Sequence, residues 1–168
     1  MLIKSLKNKY SNLSVIEFFL ISVFTYSFWS FSYNFILLDS VFDLFLIKYA
    51  VKCASIVLNT FNFETKVFFN EISIVGEKSI LINSGCNILK VFGIYVSFVL
   101  GYPNHILKKL KYSLIGFLLL LLMNVFRISI FTLVTAYIPE FWSIMHKYST
   151  FIIFYPVILY LWLLLIKK

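Results

Sequence analysis

The chain has 168 residues, of which 61% are hydrophobic and 20% aromatic. Soluble domains contain about 45–50% apolar residues, so this composition excludes an ordinary soluble domain and indicates an integral membrane protein with one small bundle. The net charge of +8 comes from small lysine clusters beside apolar segments, which favours topology determinants over a nucleic-acid-binding face. Cys53 and Cys86 form no C-x-x-C pair, which argues against a thioredoxin-type redox site and a cysteine zinc site.

The first predicted element is a membrane span over residues 15–38. This apolar segment is longer than the ~20 residues that a transmembrane helix needs. Lys4, Lys7 and Lys9 precede it, and lysines beside a first span are typical of the cytoplasmic side. We expect an uncleaved anchor, because no small-residue cleavage site follows a short apolar core.

The next segment, residues 39–63, is apolar but is interrupted by four charges. Lys48 and Lys52 lie four residues apart and therefore share one helical face. This pattern predicts an amphipathic helix at the outer face of the membrane, either lying on the surface or dipping into it, rather than a further span.

Residues 64–82 contain three short strand-like runs separated by residues with turn chemistry. Open strand edges cannot face lipid, so this β-meander is expected outside the hydrocarbon. The runs are Val67-Phe68-Phe69, Ile72 to Val75 and Ile80-Leu81-Ile82, and the turns are Asn70-Glu71 and Gly76-Glu77-Lys78.

Three further spans are predicted in the rest of the chain, over residues 86–107, 112–137 and 150–166. The predicted fold is therefore an all-α membrane protein. It is a four-span helical bundle with an outer amphipathic helix and a short extracytoplasmic β-meander, all within a single transmembrane domain of residues 1–168. The outer-face segment is residues 39–85.

The positive-inside rule supports this four-span arrangement. If residues 39–63 do not cross, then Lys108, Lys109, Lys111 and the amino- and carboxy-terminal lysines all fall on the cytoplasmic side. The sequence therefore predicts a multi-pass protein of the cell inner (plasma) membrane with both termini cytoplasmic.

This topology places three chemically active residues at a similar depth in the membrane. Cys86 opens the second span at its outer end, and His146 lies in the outer connection before the fourth. Arg127 is about 15 residues, or ~22 Å, along a helix that enters from inside, which places it in the outer half of a ~30 Å core. His105 is ~28 Å beyond Cys86 along the same predicted helix, so only one histidine lies near the cysteine.

The three residues could form a candidate catalytic site on the extracytoplasmic side. Cys86, at a helix amino terminus, is a candidate thiolate nucleophile. Arg127 can donate to a developing oxyanion, and His146 can act as acid and base. Lys90, one turn after Cys86, and Asn124, one turn before Arg127, are supporting candidates.

Each of these residues also has a purely structural interpretation. A cysteine at a span end is usually inert packing, and a loop histidine is usually only surface. Asn124 could bridge helices, and Lys90 could anchor the helix at the membrane surface. Arg127 could pair with Glu140 or cap backbone carbonyls. It is still the most informative residue, because an arginine within a span costs about 2.5–3.5 kcal/mol and is rarely without a function.

The order and spacing of these residues resemble the exosortase/archaeosortase family. The resemblance rests on Cys86 opening a span after an outer strand segment, Asn124-x-x-Arg127-Ile128 in a later span, and a histidine about 19 residues further on. It covers the chain from Glu64 to the carboxyl terminus. Many members have Ser-Gly directly after the cysteine, whereas this chain has Asn87-Ile88.

The resemblance implies a sortase-like cysteine transpeptidase or protease. Its substrates would carry a carboxy-terminal sorting signal, made of a short motif, a membrane helix and a basic tail. Cys86 would form a thioester, Arg127 would stabilise the oxyanion and His146 would act as acid and base, without metal or organic cofactor. Partners would be the sorting-signal helix and the lipid bilayer, with no nucleic acid.

Two other functions fit the same residues. The first is an intramembrane cysteine protease that releases its product to water. The second is a non-enzymatic assembly or transport subunit, in which Arg127 binds an anion or a partner helix.

Overall fold

The computed structural model describes residues 2–84 and 88–167, with side chains from Val15 onward. Gly85, Cys86 and Asn87 therefore lie outside the described residues. The predicted mainly helical fold and the short β-meander are confirmed. The helices are α1 (Leu2–Ser32), α2 (Val41–Thr60), α3 (Leu89–Gly101), α4 (Ile106–Tyr137), α5 (Trp142–Ser149) and α6 (Tyr155–Ile166), and the strands are β1 (Thr65–Phe68), β2 (Glu71–Ile74) and β3 (Ile80–Leu81).

Three helical segments among the described residues are long and apolar enough to cross a membrane, namely Val15–Leu37, Ile106–Tyr137 and Pro139–Ile166. The first agrees with the predicted span 15–38 and ends in a π-helical turn, Tyr33–Leu37. The third includes a second π-helical turn, Thr150–Phe154, and starts well before the predicted span 150–166.

The predicted second span, residues 86–107, is longer than the helix in the structure. Helix α3 has 13 residues, which gives ~20 Å at 1.5 Å per residue, less than the ~30 Å hydrocarbon core. It ends at Gly101 because Pro103 restricts Tyr102 to the extended conformation that Tyr102 adopts, with φ −67° and ψ 130°. Helix α4 then begins at Ile106, six residues before the predicted start of the third span.

The helix ends that meet near the start of α4 define one end of the bundle, called here the lysine end. The Lys109 ammonium donates to the Leu100 carbonyl (2.6 Å), and the Lys108 ammonium donates to the Leu165 carbonyl (3.4 Å). These cations satisfy carbonyls at the carboxyl ends of α3 and α6, where the helix dipole favours positive charge. Helices α3 and α6 therefore both run antiparallel to α4.

Helix α1 packs closely against α3 because two glycines face it. A Cβ atom added at Gly93 would overlap the Trp29 indole, and one at Gly101 would overlap the Ser22 hydroxyl. The Trp29 indole N–H also donates to the Leu89 carbonyl (2.8 Å). Since Ser22 lies beside Gly101 and Trp29 beside Leu89, α1 runs from the lysine end towards the opposite end.

Helix α2 is present where the sequence predicts an amphipathic helix, but it packs lengthwise along α4. Leu46 shares a buried cluster with Leu121, and the Phe63 ring just after α2 lies 6.2 Å from the Tyr137 ring. These contacts follow the carboxyl half of α4 from its middle to its end. A helix lying flat on a membrane that α4 crosses would not make them, so of the two predicted orientations the surface-lying one is wrong.

The three strands form an antiparallel sheet in the order β1-β2-β3. Phe69 and Gly76 adopt positive φ angles of 53° and 90° in the connecting turns, so the first turn is centred one residue earlier than predicted. One face of the sheet, with Ile72, Ile80 and Ile82, is buried in a cluster with α2 and with Val125, Ile128 and Phe131 of α4. The sheet therefore lies at the end of the bundle opposite Lys108 and Lys109, together with α5, whose Met145 packs on the same cluster. This end is called here the sheet end.

Candidate active site

Arg127 is buried on α4, with 5% of its surface exposed. Its Nε donates to the Ser149 hydroxyl (3.1 Å), and its guanidinium carbon lies 5.1 Å from the Phe131 ring centre and 5.7 Å from that of Phe154. Aromatic faces attract a cation and exclude water, so this pocket holds a charged donor in a medium where its electrostatic interactions are strong.

His146 lies on the short helix α5, which forms most of the predicted connection before the last span. Its exposed imidazole stacks on Trp142 (4.9 Å between ring centres) and on Phe131 (6.0 Å). Phe131 is one turn beyond Arg127 on α4, and its ring contacts both functional groups. The structure thus brings Arg127 and His146 to the same ring, as the predicted convergence requires.

Cys86 lies outside the described residues, but the residues on both sides of it are placed. Before it, Ile82 is 1% exposed and shares a cluster with Val125 and Ile128 of α4. After it, Ile88 is also 1% exposed and shares a cluster with Phe154, whose ring faces Arg127. The chain on either side of Cys86 thus belongs to two buried clusters, one that contains Phe131 and one that contains Phe154, and both of these rings contact Arg127.

Hydrogen bonds fix the two ends of this segment to α1 and to the loop after it. The buried Tyr33 hydroxyl donates to the Ser84 carbonyl (3.0 Å), and the Ser84 hydroxyl donates to the Asp39 carboxylate. On the other side, the indole N–H of Trp29 holds the Leu89 carbonyl. These hydrogen bonds therefore hold Ser84, just after β3, and Leu89, at the start of α3, against the end of the first membrane segment.

The loop that carries Asp39 is itself ordered by a helix cap. Ser40 accepts a hydrogen bond from the Asp43 backbone N–H (3.2 Å), and the Asp43 carboxylate accepts one from the Asp39 N–H (3.2 Å). This arrangement resembles a capping box at the start of α2, but the acidic side chain bonds to the N–H one residue before the N-cap. It stabilises the positive φ of Asp39, which is 56°.

The two supporting candidates have different surroundings. Lys90 is exposed, and its ammonium lies 5.3 Å from the Tyr33 ring centre beside a cavity of about 370 Å³. Asn124 is 3% exposed, and its side-chain oxygen has no hydrogen-bond partner among the described residues. Asn124 therefore faces the helix interface, but the described contacts do not show that it orients Arg127.

A cavity of about 510 Å³ opens beside the candidate site. Residues 79–83 form one wall, and the opposite wall includes Phe131, Thr135, Trp142 and His146. Its volume is within the range of about 300–1,000 Å³ that is usual for ligand pockets. Residues 79–83 shortly precede Cys86 in the chain, and a ligand in this cavity would lie between them and His146.

Sequence reasoning missed Ser149 and Phe131, which contact the arginine and connect it to the histidine. Ser149 ends the polar stretch before the last span, and Phe131 is at i+4 from Arg127 on a helix, so both offered weak positional signals. The Ser40–Asp43 pair had a clearer signal, since serine followed three residues later by an acidic residue marks a helix start. No group of three or more potential metal ligands occurs in the described ranges.

Comparison of the chain with family models, with curated proteins and with solved structures found no match.

Proposed function

We propose that this chain is a membrane-embedded cysteine transpeptidase. It processes proteins that carry a carboxy-terminal sorting signal, and its catalytic residues are Cys86, Arg127 and His146. The observation that supports the proposal is that the Phe131 ring lies 5.1 Å from the Arg127 guanidinium carbon and 6.0 Å from the His146 ring.

Each residue has a defined role in the proposed reaction. His146 takes the thiol proton of Cys86, and the thiolate attacks the substrate's scissile carbonyl carbon. Arg127 stabilises the negative charge on that carbonyl oxygen. When the C–N bond breaks, His146 gives its proton to the leaving amine, and the acyl group remains on sulfur as a thioester. An incoming nucleophile then loses its proton to His146, attacks the thioester and releases the thiolate.

The site is proposed to face the extracytoplasmic side of the plasma membrane, with both termini cytoplasmic. The gathering of Lys108 and Lys109 at the end opposite His146 supports this orientation, because clustered lysines favour the cytoplasmic side. A substrate helix could pack laterally against the spans, with its basic tail at the lysine end and its scissile bond at the depth of Cys86.

The test is processing of a reporter library by the full chain in liposomes. Each reporter joins a soluble protein to a randomised segment, an apolar helix and a short lysine tail. We expect processing of some members by the wild type, with a mass adduct on Cys86 after acid quenching. Cys86→Ala should insert normally and process none. Cys53→Ala is the matched control, because Cys53 is half-buried against the apolar α2–α4 cluster, and it should retain activity.

The same assay distinguishes the rival functions. Hydroxylamine added as an acceptor should yield a hydroxamate at the new carboxyl end if acyl transfer occurs, whereas a free carboxylate in its presence indicates hydrolysis only. Processing by Cys86→Ala at the wild-type rate would contradict the proposal. A chain that processes no reporter would instead fit a binding subunit.

A further inference from the structure

We propose that the outer edge of β3 binds the substrate as an added β-strand, which delivers its scissile bond to Cys86. This inference deepens the proposed function and rests on it. It assigns the recognition of an extended peptide segment to main-chain hydrogen bonds rather than to a side-chain pocket alone.

The hydrogen-bond register identifies which backbone groups point outward. The Ile82 N–H donates to the Asn70 carbonyl (2.9 Å), and Leu81 stands opposite Glu71 in the ladder. Hydrogen-bonded and non-hydrogen-bonded pairs alternate along antiparallel strands, so Leu81–Glu71 is a non-hydrogen-bonded pair. The N–H and C=O of Leu81 therefore point away from β2, towards the open edge of the sheet.

The cavity beside the candidate site provides room for a strand at this edge. Since β2 occupies one edge of β3, a cavity lined by five consecutive residues, 79–83, is positioned to accommodate a strand along the other. Its far wall carries His146 and Trp142. The Thr135 hydroxyl also lines it, and this buried oxygen has no hydrogen-bond partner among the described residues. A peptide main chain could bond to both the Leu81 edge and Thr135.

The position of β3 in the chain, just before Cys86, points to an extended substrate segment as the peptide that occupies this edge. β3 leads within five residues of Leu81 to Cys86, so a peptide paired with β3 would run along the chain that carries the nucleophile. The pairing adds affinity through the main chain, and alternate side chains of the peptide would face the Phe131 and Trp142 wall. The structure thus fits an extended segment placed just before the substrate's membrane helix.

Proline substitutions provide a direct test of the edge. Leu81→Pro removes an N–H that points outward, so it breaks no bond to β2, and a strand position suits the fixed φ of proline. Val67→Pro is the matched control. Val67 stands opposite Ile72 next to a hydrogen-bonded Phe68–Glu71 pair, so its N–H points to the opposite edge of the same sheet. Both side chains are exposed, Leu81 by 54% and Val67 by 42%.

The experiment measures binding without chemistry. An mRNA-displayed library, with about eight randomised residues before an apolar helix and a lysine tail, is selected on the Cys86→Ala chain in nanodiscs. We expect selected peptides to bind about tenfold more weakly to the Cys86→Ala, Leu81→Pro chain, as for loss of one main-chain hydrogen bond, and unchanged to the Cys86→Ala, Val67→Pro chain. N-methylation should weaken binding at every second peptide position, where the N–H points to β3, and should have little effect at the positions between.

Equal binding to both proline variants, or a library from which no peptide is enriched, would overturn the inference. The failure of the proposed function gives a different result. In that case selected peptides would bind at the β3 edge but form no adduct on Cys86 in the wild-type chain. Conversely, adduct formation that is the same in wild type and Leu81→Pro would support the enzyme and contradict the edge.

Discussion

Arg127 is the residue on which the chemistry of the site depends most. It is the only arginine in the chain, and its burial in a span costs about 2.5–3.5 kcal/mol on insertion scales. The Ser149 hydroxyl and the two aromatic rings offset part of this cost, because they offer a hydrogen-bond acceptor and polarisable faces. A buried cation that is held in this way is ready to receive negative charge, as an oxyanion site requires.

We therefore predict that Arg127→Lys lowers kcat/KM by about 100-fold, since a point charge replaces a guanidinium with donors in a fixed geometry. Ser149→Ala should lower it by less, about tenfold, because one hydrogen bond to the guanidinium is lost. Kinetics of the processed reporter check both values. The matched control is Ser129→Ala on α4, because the hydroxyl of Ser129 donates to its own helix at Val125. Full activity of Arg127→Lys would show that charge alone suffices.

At the scale of single residues, the sequence indicated Arg127 and His146 but not their neighbours. A charge inside an apolar span is visible without coordinates, because its insertion cost marks it. The contribution of Ser149 and Phe131 depends on how α5 folds back onto α4, and no local pattern encodes that packing. The placement of Cys86 remains a prediction, supported by the packing of Ile82 and Ile88.

The position of α3 against α1 depends on glycines, which leave room for close contact between the two helices. Gly93 has no Cβ, so the Trp29 indole can lie against the α3 backbone and donate to the Leu89 carbonyl. Small residues allow such close approach between helices in membranes. This contact sets the position of the first turn of α3, which directly follows the cysteine segment.

We predict that Gly93→Ala destabilises the protein by about 1–3 kcal/mol, because the new methyl group overlaps the indole. Helix propensity alone predicts the opposite sign, a gain of about 0.5–1 kcal/mol. Unfolding in mixed detergent measures the difference. Trp29→Phe is the companion variant, which keeps a ring but loses its hydrogen bond, and should cost about 1 kcal/mol. A more stable Gly93→Ala would contradict the close packing.

At the scale of elements, the sequence predicted which segments are helix and strand more accurately than where the helices end. The predicted span 86–107 runs across Pro103-Asn104-His105, although a proline followed by two polar residues marks a helix end. Helix α5 was missed because its eight residues are too few to predict a helix by themselves, and they gain their order from packing on α4. The orientation of α2 also depends on tertiary contacts, since its lysine face fits either position.

At the scale of the whole molecule, α1 and α2 together cover the distance from the lysine end to the sheet end. Helix α1 reaches the level of Leu121, where Tyr33 and Leu46 meet Leu89, and α2 continues along α4 from there. Helix α3 descends from the same level. The break between α1 and α2 therefore leaves Leu89, at the start of α3, level with the middle of α4. The non-helical backbone between α1 and α2 is tolerated at membrane depth where other parts of the protein cover it.

The central claim is that Cys86 lies beside His146 and far from His105. In a Cys53→Ser background, His146→Cys and His105→Cys each add one thiol for pairing with Cys86. We predict that a short bismaleimide links Cys86 to position 146 and not to position 105, which lies beyond the carboxyl end of α3, a helix of 13 residues or ~20 Å in length. Mass spectrometry of the linked peptides, with monomaleimide labelling to confirm that each thiol reacts, gives the result. A link from Cys86 to position 105 and none to position 146 would contradict the proposed site.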